Sequence, residues 1–259
     1  MGIVNVTPDS FSDGSEHADP DAAIAYAKTL IDEGADILDI GGESTRPGAE
    51  PVTVAAELQR ILPVIEALRD TGVALSVDTF KPEVMRSVLD AGVDIINDIY
   101  AFRNDGAVEA VAESNCGLCV MHMQGEPKTM QLAPSYVDVI QEVRAFLVER
   151  AQVLQSHGVD PRRIIADPGL GFGKTVEQNY LLLRQLRDVS PQGYACLLGV
   201  SRKSMLGAVV GRPPPERAAA SVAAALAGIA RGANIVRVHD VAATADAIKI
   251  WHAIEHGVS

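Results

Sequence analysis

Three stretches of the chain repeat one arrangement of polar and apolar positions: EGADILDIGG from Glu33, AGVDIINDI from Ala91 and RGANIVRVHD from Arg231. In each, a helix-like segment stops at glycine, a small residue and Asp or Asn follow, and a β-branched run begins. Glycine behind a helix tolerates the left-handed conformation that closes it, and the run that follows reads as a buried strand. Each copy therefore predicts a helix-to-strand junction. Extended along the chain, the pattern predicts strands near residues 2–6, 37–40, 74–77, 95–97, 118–121, 164–166, 196–200 and 235–238. Amphipathic helical stretches alternate with them, among them AAIAYAKTLIDEG, VAAELQRILPVIEALRD, YVDVIQEVRAFLVERAQVLQSHG and ATADAIKIWHAIEHG. Strands that alternate with helices and are apolar on both faces belong to parallel sheets, and about eight such units in roughly 250 residues predict a (β/α)8 TIM barrel. A doubly wound open sheet is the alternative. No linker, low-complexity segment or composition shift divides residues 1–259, so a single domain is expected.

The ends of the predicted strands carry the chemistry. Apolar runs break into Asn5, Asp39, Asp78, Asn97 with Asp98, His122, Asp167, Ser201 with Arg202 and Lys203, and Arg237 with His239. In a parallel barrel the C-terminal ends of all strands meet at one mouth, where active sites of this fold sit. An Asp or Asn after a strand often caps the next helix. Arg237, His239, Lys203 and His122 are poor caps, so the set as a whole predicts a polar ring on an apolar barrel.

Composition narrows the partners. A formal net charge of −12 argues against nucleic acid and anionic membranes, because phosphate contacts need clustered Lys and Arg. A small-molecule ligand is the expectation. Hydrophobic residues at 47% and charged residues at 22% suit a globular chain, and the apolar run SVAAALAGIA is too short to span a bilayer. The start MGIVNV has no charged leader region, and Val6 breaks the myristoylation pattern. Three cysteines form no disulfide framework, which points to a reducing compartment, the cytoplasm being the simplest. Cys116 and Cys119 make a C-x-x-C, yet in a strand residues three apart face opposite sides, so two packed thiols are expected instead of a redox or zinc pair.

The segment DPGLGFGKT from Asp167 looks like a phosphate-binding loop and fails the test. A Walker loop needs glycine where Pro168 stands, and the dinucleotide fingerprint needs glycine where Lys174 stands.

NVTPDSFSDG, GGESTRPG, VDTFKPEV, INDI, MHMQGEPKTM, DPGLGFGK, SRKSM and RVHDV follow one another along the whole chain. Together they resemble the dihydropteroate synthase family of folate biosynthesis. The resemblance implies a (β/α)8 barrel, usually homodimeric and a sulfonamide target. It also implies a Mg²⁺-dependent condensation of (7,8-dihydropterin-6-yl)methyl diphosphate with 4-aminobenzoate, giving 7,8-dihydropteroate and diphosphate. By family match Asp78, Asn97, Met121, Asp167 and Lys203 meet the pterin. Thr45, Arg237 and His239 meet the diphosphate, with Asn5 and Asp13 at the metal. Phe11, Thr45, Arg46, Pro47, Gly171, Phe172 and Ser204 meet the aminobenzoate. Lys203, Arg237 and His239 are the residues expected to carry catalysis. The chemistry fits the residues: a carboxylate accepts paired N–H bonds from an aminopyrimidinone edge, and a guanidinium offers a rigid donor fork to a diphosphate.

The long loops NVTPDSFSDGSEHADPD and GGESTRPGAEPVT, rich in Gly, Ser and Pro, are expected to close over the site. Phe80 stands where the family usually has a small polar residue, so a reshaped lip beside Asp78 is expected, and Tyr100 to Arg103 also departs from the family pattern. Family members generally carry a short segment ahead of strand one that covers the barrel's N-terminal face, whereas this sequence opens directly in the first predicted strand. Three other readings use the same residues. A methyltetrahydrofolate-binding methyltransferase barrel would keep the pterin pocket without needing Arg237 and His239. An aldolase would use Lys203 as a Schiff base, and a non-catalytic pterin-binding barrel would keep binding alone.

Overall fold

A computed structural model describes residues 1–7, 19–44, 50–127 and 129–258. The chain runs through β1 (Gly2–Asn5), α1 (Pro20–Asp32), β2 (Ile37–Gly41), α2 (Val54–Leu68), β3 (Ala74–Asp78), α3 (Pro82–Asp90) and β4 (Ile95–Asp98). It continues through α4 (Ala107–Val111), β5 (Gly117–Met121), α5 (Val139–Ser156), β6 (Ile164–Asp167), α6 (Val176–Arg184) and α7 (Leu186–Val189). It ends with β7 (Ala195–Gly199), α8 (Ser204–Val210), α9 (Ala218–Ile229), β8 (Ile235–Arg237) and α10 (Val241–His256). Each predicted strand forms within one residue of its expected ends. Helix α2 passes through Pro63 without breaking, since Pro63 lies on the exposed face, where the carbonyl it leaves unpaired can bond water.

All neighbouring strands pair in parallel and in chain order. The sheet closes on itself, with the Ile3 N–H donating to the Val238 carbonyl at 3.0 Å and the Val238 N–H to the Met1 carbonyl at 2.9 Å. The result is the expected TIM barrel. Closure leaves no free edge, and the period of two then sorts each strand into an inner and an outer set. Outer residues such as Leu38, Ile40, Val77, Ile96, Leu118 and Leu198 pack against the helices. Inner residues Met1, Ile95, Cys119, Ile165 and Leu197 fill the barrel floor. Cys116 belongs to the outer core and Cys119 to the inner one, so the C-x-x-C splits across the sheet as its strand period predicts. All three cysteines are buried free thiols.

A third apolar cluster stands at the mouth: Ile99, Met121, Met123 and Met130, with Phe80, Tyr100 and Phe172 against it. The Phe80 and Tyr100 rings tilt together with centroids 4.9 Å apart, so the two departures from the family pattern form one wall. The turn behind Tyr100 is firmly built. Asp98 accepts the N–H groups of Tyr100 and Phe102, each at 2.7 Å, and Arg150 donates to the carbonyls of Ala101 and Phe102, each at 2.9 Å. Those bonds hold Ala101 and Phe102 at φ of 54° and 57°, a left-handed region that side-chain-bearing residues enter only when the surroundings hold them there.

Candidate active site

The inner residues of the upper barrel form the polar layer. Arg237 at the end of β8 donates from Nε to Asp39 Oδ2 at 2.5 Å and from Nη2 to Asp78 Oδ2 at 3.1 Å. Asp39 is 0% exposed, and it also accepts from Ser76 Oγ at 2.6 Å and from Asn97 Nδ2 at 3.2 Å. Four strands are thereby joined through one carboxylate. Burial works to lower the Arg237 pKa, but Asp39 and Asp78 overcome it and hold the guanidinium above its usual value. Burial lifts Asp78 above the ordinary carboxylate range, with Arg237 opposing and Asp39 adding to the rise.

Sequence reasoning placed Asp39 in the ring of strand ends but assigned it no part in the site. The signal was available, because Asp39 sits inside its strand, between Leu38 and Ile40, and shares the inward parity of Asp78 and Asn97.

Lys203 reaches inward from the turn after β7. Its ammonium donates to the Leu170 carbonyl and lies 4.9 Å from the centre of the Phe172 ring. A methyl group placed on Gly199 would come within 3.6 Å of that nitrogen, and one on Gly171 within 3.2 Å of the lysine Cδ, so two glycines leave the slot open. Burial pulls Lys203 down to about 8, against the pull of Asp167 and with help from Arg237. Asp167 is itself raised by burial, with Lys203 and the Gly169 N–H offsetting part of the rise. Its Oδ1 accepts the Gly169 N–H at 2.7 Å, which leaves its second oxygen toward the barrel. Among the described residues no ion pair joins Lys203 to Asp167. A ligand edge with an acceptor beside N–H donors would bridge them.

The loop between β6 and α6 is held from below. Lys174, only 2% exposed, donates to the carbonyls of Gly169 at 2.8 Å, Phe172 at 2.9 Å and His122 at 3.3 Å, and meets His122 Nδ1 at 3.0 Å. The lysine of the apparent phosphate loop is thus an internal tie. His122 was expected in the mouth ring; it faces outward instead, its ring edge-on to Phe146 at 5.0 Å between centroids. Strand parity explains this, since residue 122 follows outward-facing Val120. Burial and the Lys174 charge push His122 down to about 3, so the ring is neutral, and its Nδ1 and carbonyl share one of the three ammonium hydrogens. Asn179 completes the loop by accepting the Gly171 N–H at 2.7 Å.

Asn5 ends β1 opposite Gly41. A methyl group on Gly41 would sit 3.6 Å from the Asp78 Cβ and 3.9 Å from the Asn5 Oδ1, so the glycine keeps a space between those residues open. His239 Nδ1 and its backbone N–H both meet Ser201 Oγ, at 3.0 and 3.1 Å. Arg202 turns outward to an ion pair with Asp240, and Ser204 opens α8 at the surface. Phe11, Asp13, Thr45, Arg46 and Pro47 lie outside the described residues. So do residues 8–18 of the first loop expected as a lid and 45–49 of the second. The described structure therefore gathers Asp78, Asn97, Met121, Asp167, Gly171, Phe172, Lys203, Arg237 and His239 at one mouth, with Asn5 at its rim.

The pterin binding enzyme family model matches residues 1–239. The dihydropteroate synthase of Neisseria meningitidis serogroup C is 51% identical over 259 residues, 98% of this chain and 92% of the relative. A crystal structure of Burkholderia cenocepacia dihydropteroate synthase complexed with 7,8-dihydropteroate superposes with a TM-score of 0.90 at 56% identity, covering 98% of this chain and 90% of that one. The Yersinia pestis dihydropteroate synthase in a sulfonamide drug complex gives a TM-score of 0.93 at 44% identity, over 98% and 93% of the two chains. With the barrel, its polar mouth and these likenesses in agreement, the chain belongs to the dihydropteroate synthases of the pterin-binding enzyme family.

Proposed function

We propose that the chain condenses (7,8-dihydropterin-6-yl)methyl diphosphate with 4-aminobenzoate in the presence of Mg²⁺, releasing diphosphate. The observation that carries this reading is the unjoined pair of Lys203 and Asp167 facing the Arg237 guanidinium across the mouth. Asp167 and Asp78 accept N–H bonds from the aminopyrimidinone edge. Lys203 donates to the ring carbonyl, and Asn97, which gives one amide N–H to Asp39, offers its oxygen. Met121 and Phe172 supply flat apolar contact. Arg237 is held in place by two carboxylates before any ligand arrives, so its alignment costs little when the diphosphate binds.

The donor set suits magnesium. Among the described residues no group of three His, Cys, Asp or Glu could hold a metal, and Asp39 and Asp78 are both engaged by Arg237. Asn5 presents one neutral hard oxygen beside the space that Gly41 keeps open, with Asp13 as a second candidate. Such a site fits an ion that takes most of its ligands from diphosphate and water. Bound there, magnesium would neutralise charge on the leaving diphosphate.

The protein's own part is stabilisation of the departing oxygens by Arg237 and His239 while positive charge spreads from the methylene carbon into the pterin ring. The aminobenzoate amine is already nucleophilic and needs no strong base, so loss of diphosphate precedes amine attack. Thr45, Phe11, Arg46, Pro47 and Ser204 complete the aminobenzoate side in this reading.

Diphosphate release with both substrates and Mg²⁺ tests the assignment, with a sulfonamide as competitor. Release that ignores 4-aminobenzoate and is not slowed by the sulfonamide would refute it. Slow release from the pterin substrate and Mg²⁺ alone is the outcome expected of a dissociative step.

The same proposal takes the enzyme as a homodimer in the cytoplasm. Three free thiols suit a reducing compartment. An apolar groove of 370 Å³ between α6, α8 and α9, lined by Tyr180, Leu183, Leu206, Val209 and Val210, offers a surface for a second copy, and its Val209 is 68% exposed.

A further inference from the structure

We infer that Ser201 is a positioning residue that holds His239 as the neutral tautomer with its hydrogen on Nε2, so that the ring presents a donor to the substrate's diphosphate. The inference rests on the proposed diphosphate role of His239 and on the geometry around one hydroxyl. Ser201 follows β7 by two residues, is 6% exposed and points inward. Among the described residues both contacts of its Oγ are with His239: the backbone N–H at 3.1 Å and the ring Nδ1 at 3.0 Å. A hydroxyl has one hydrogen to give and two lone pairs to receive with. The backbone N–H can only donate, so it occupies a lone pair.

The hydroxyl hydrogen then needs an acceptor, and the one within reach is Nδ1. If Nδ1 carried a hydrogen instead, Oγ would receive two donors, and its own hydrogen would be buried without a partner, which native structures avoid. Nδ1 therefore accepts and Nε2 bears the hydrogen. Fixing the second ring nitrogen in this way is how proteins set which face of a histidine donates.

The backbone around this pair is held separately. Arg202, the next residue, is in the left-handed region at φ 57°, with its N–H on Ser221 Oγ at 2.9 Å. Its guanidinium is paired with Asp240, the residue after His239, through Nη2–Oδ1 at 2.5 Å and Nε–Oδ2 at 3.0 Å. Inner and outer ties thus join the same two strand ends. Removing the inner tie leaves the outer one, so Ser201→Ala should keep the fold while freeing the ring.

Long-range ¹H–¹⁵N spectra of protein labelled at histidine nitrogen read the tautomer directly, with His239→Asn to assign the signals. Wild type should show Nε2 bearing the hydrogen and Nδ1 without it, and Ser201→Ala should show a mixture. In steady state Ser201→Ala should raise KM for the pterin diphosphate about tenfold, the worth of one hydrogen bond, with KM for 4-aminobenzoate little changed. Ser201→Thr, which keeps the hydroxyl, should restore both readouts. A wild-type ring with its hydrogen on Nδ1, or a tautomer unmoved in Ser201→Ala, overturns the inference. If Ser201→Ala fails to fold, the wild-type spectrum still decides it. A chain with the expected tautomer but no condensation would instead overturn the proposed reaction.

Discussion

At Arg237 two carboxylates share one guanidinium, and they do different work. Asp39 is wholly enclosed and also receives Ser76 and Asn97, whereas Asp78 stands at the rim. Replacing Arg237 with Met removes the charge that compensates a buried carboxylate. The expected cost is about 3 kcal/mol in urea unfolding, because the partner left behind cannot reach water. Asp39→Asn combined with Arg237→Met should recover part of that loss, and a double variant no more stable than the single one would deny the coupling.

Lys203 gives the second residue-scale prediction. Burial brings it to about 8, so its ammonium is present below that pH and lost above it. Measured as kcat/KM for the pterin diphosphate, activity should decline above pH 8 as Lys203 loses its proton, and should decline again below about 7, where Asp78 is protonated. Lys203→Arg stays charged and should flatten the decline above pH 8 even if it lowers the rate. Linkage to stability runs the other way: the unfolded lysine keeps its proton up to its ordinary value, so this group makes stability rise with pH from about 8 toward that value.

Among the elements, the loop from Asp167 to Thr175 shows how far sequence reading reaches. Thr175 and Gln178 have the spacing of a capping box, and they form one at the start of α6. The failure of the phosphate-loop pattern at Pro168 was equally legible. The burial of Lys174 was not, since its partner His122 is 52 residues away and its other acceptors are carbonyls, which leave no mark in sequence. Lys174→Met should cost on the order of 2–3 kcal/mol, because three buried carbonyls lose their donor. It should also weaken sulfonamide binding by calorimetry, since Phe172 and Gly171 ride on the same loop. Unchanged binding in a folded variant would restrict Lys174 to stability. Gly169 allows a sharper test. It lies at φ 64°, and an added methyl would stand 1.9 Å from the His122 carbonyl oxygen, so Gly169→Ala must displace the loop from the β5 end. The wall of Phe80 and Tyr100 was foreseen as a departure at each position, but their mutual packing depends on β3 and β4 lying side by side.

For the molecule as a whole, closure of β8 on β1 turns scattered strand ends into one mouth. The apolar groove on the outside belongs to the same scale. In sedimentation, Val210→Asp should shift the protein from dimer toward monomer, while a wild-type monomer would dismiss the homodimer. Local sequence determined the strands, their alternation with helices, and the inward or outward parity of each side chain, because these depend on spacing and on neighbours a few residues apart. The ordered motifs also determined the family. Tertiary structure alone decided which polar residues are anchors and which face the ligand. Asp39 and Asp78 look alike in sequence. They separate when Arg237, 198 residues beyond Asp39, enters the barrel and encloses the first while leaving the second at the mouth. The energy of a buried charge depends on its partners in space, and a closed barrel chooses those partners from opposite ends of the chain.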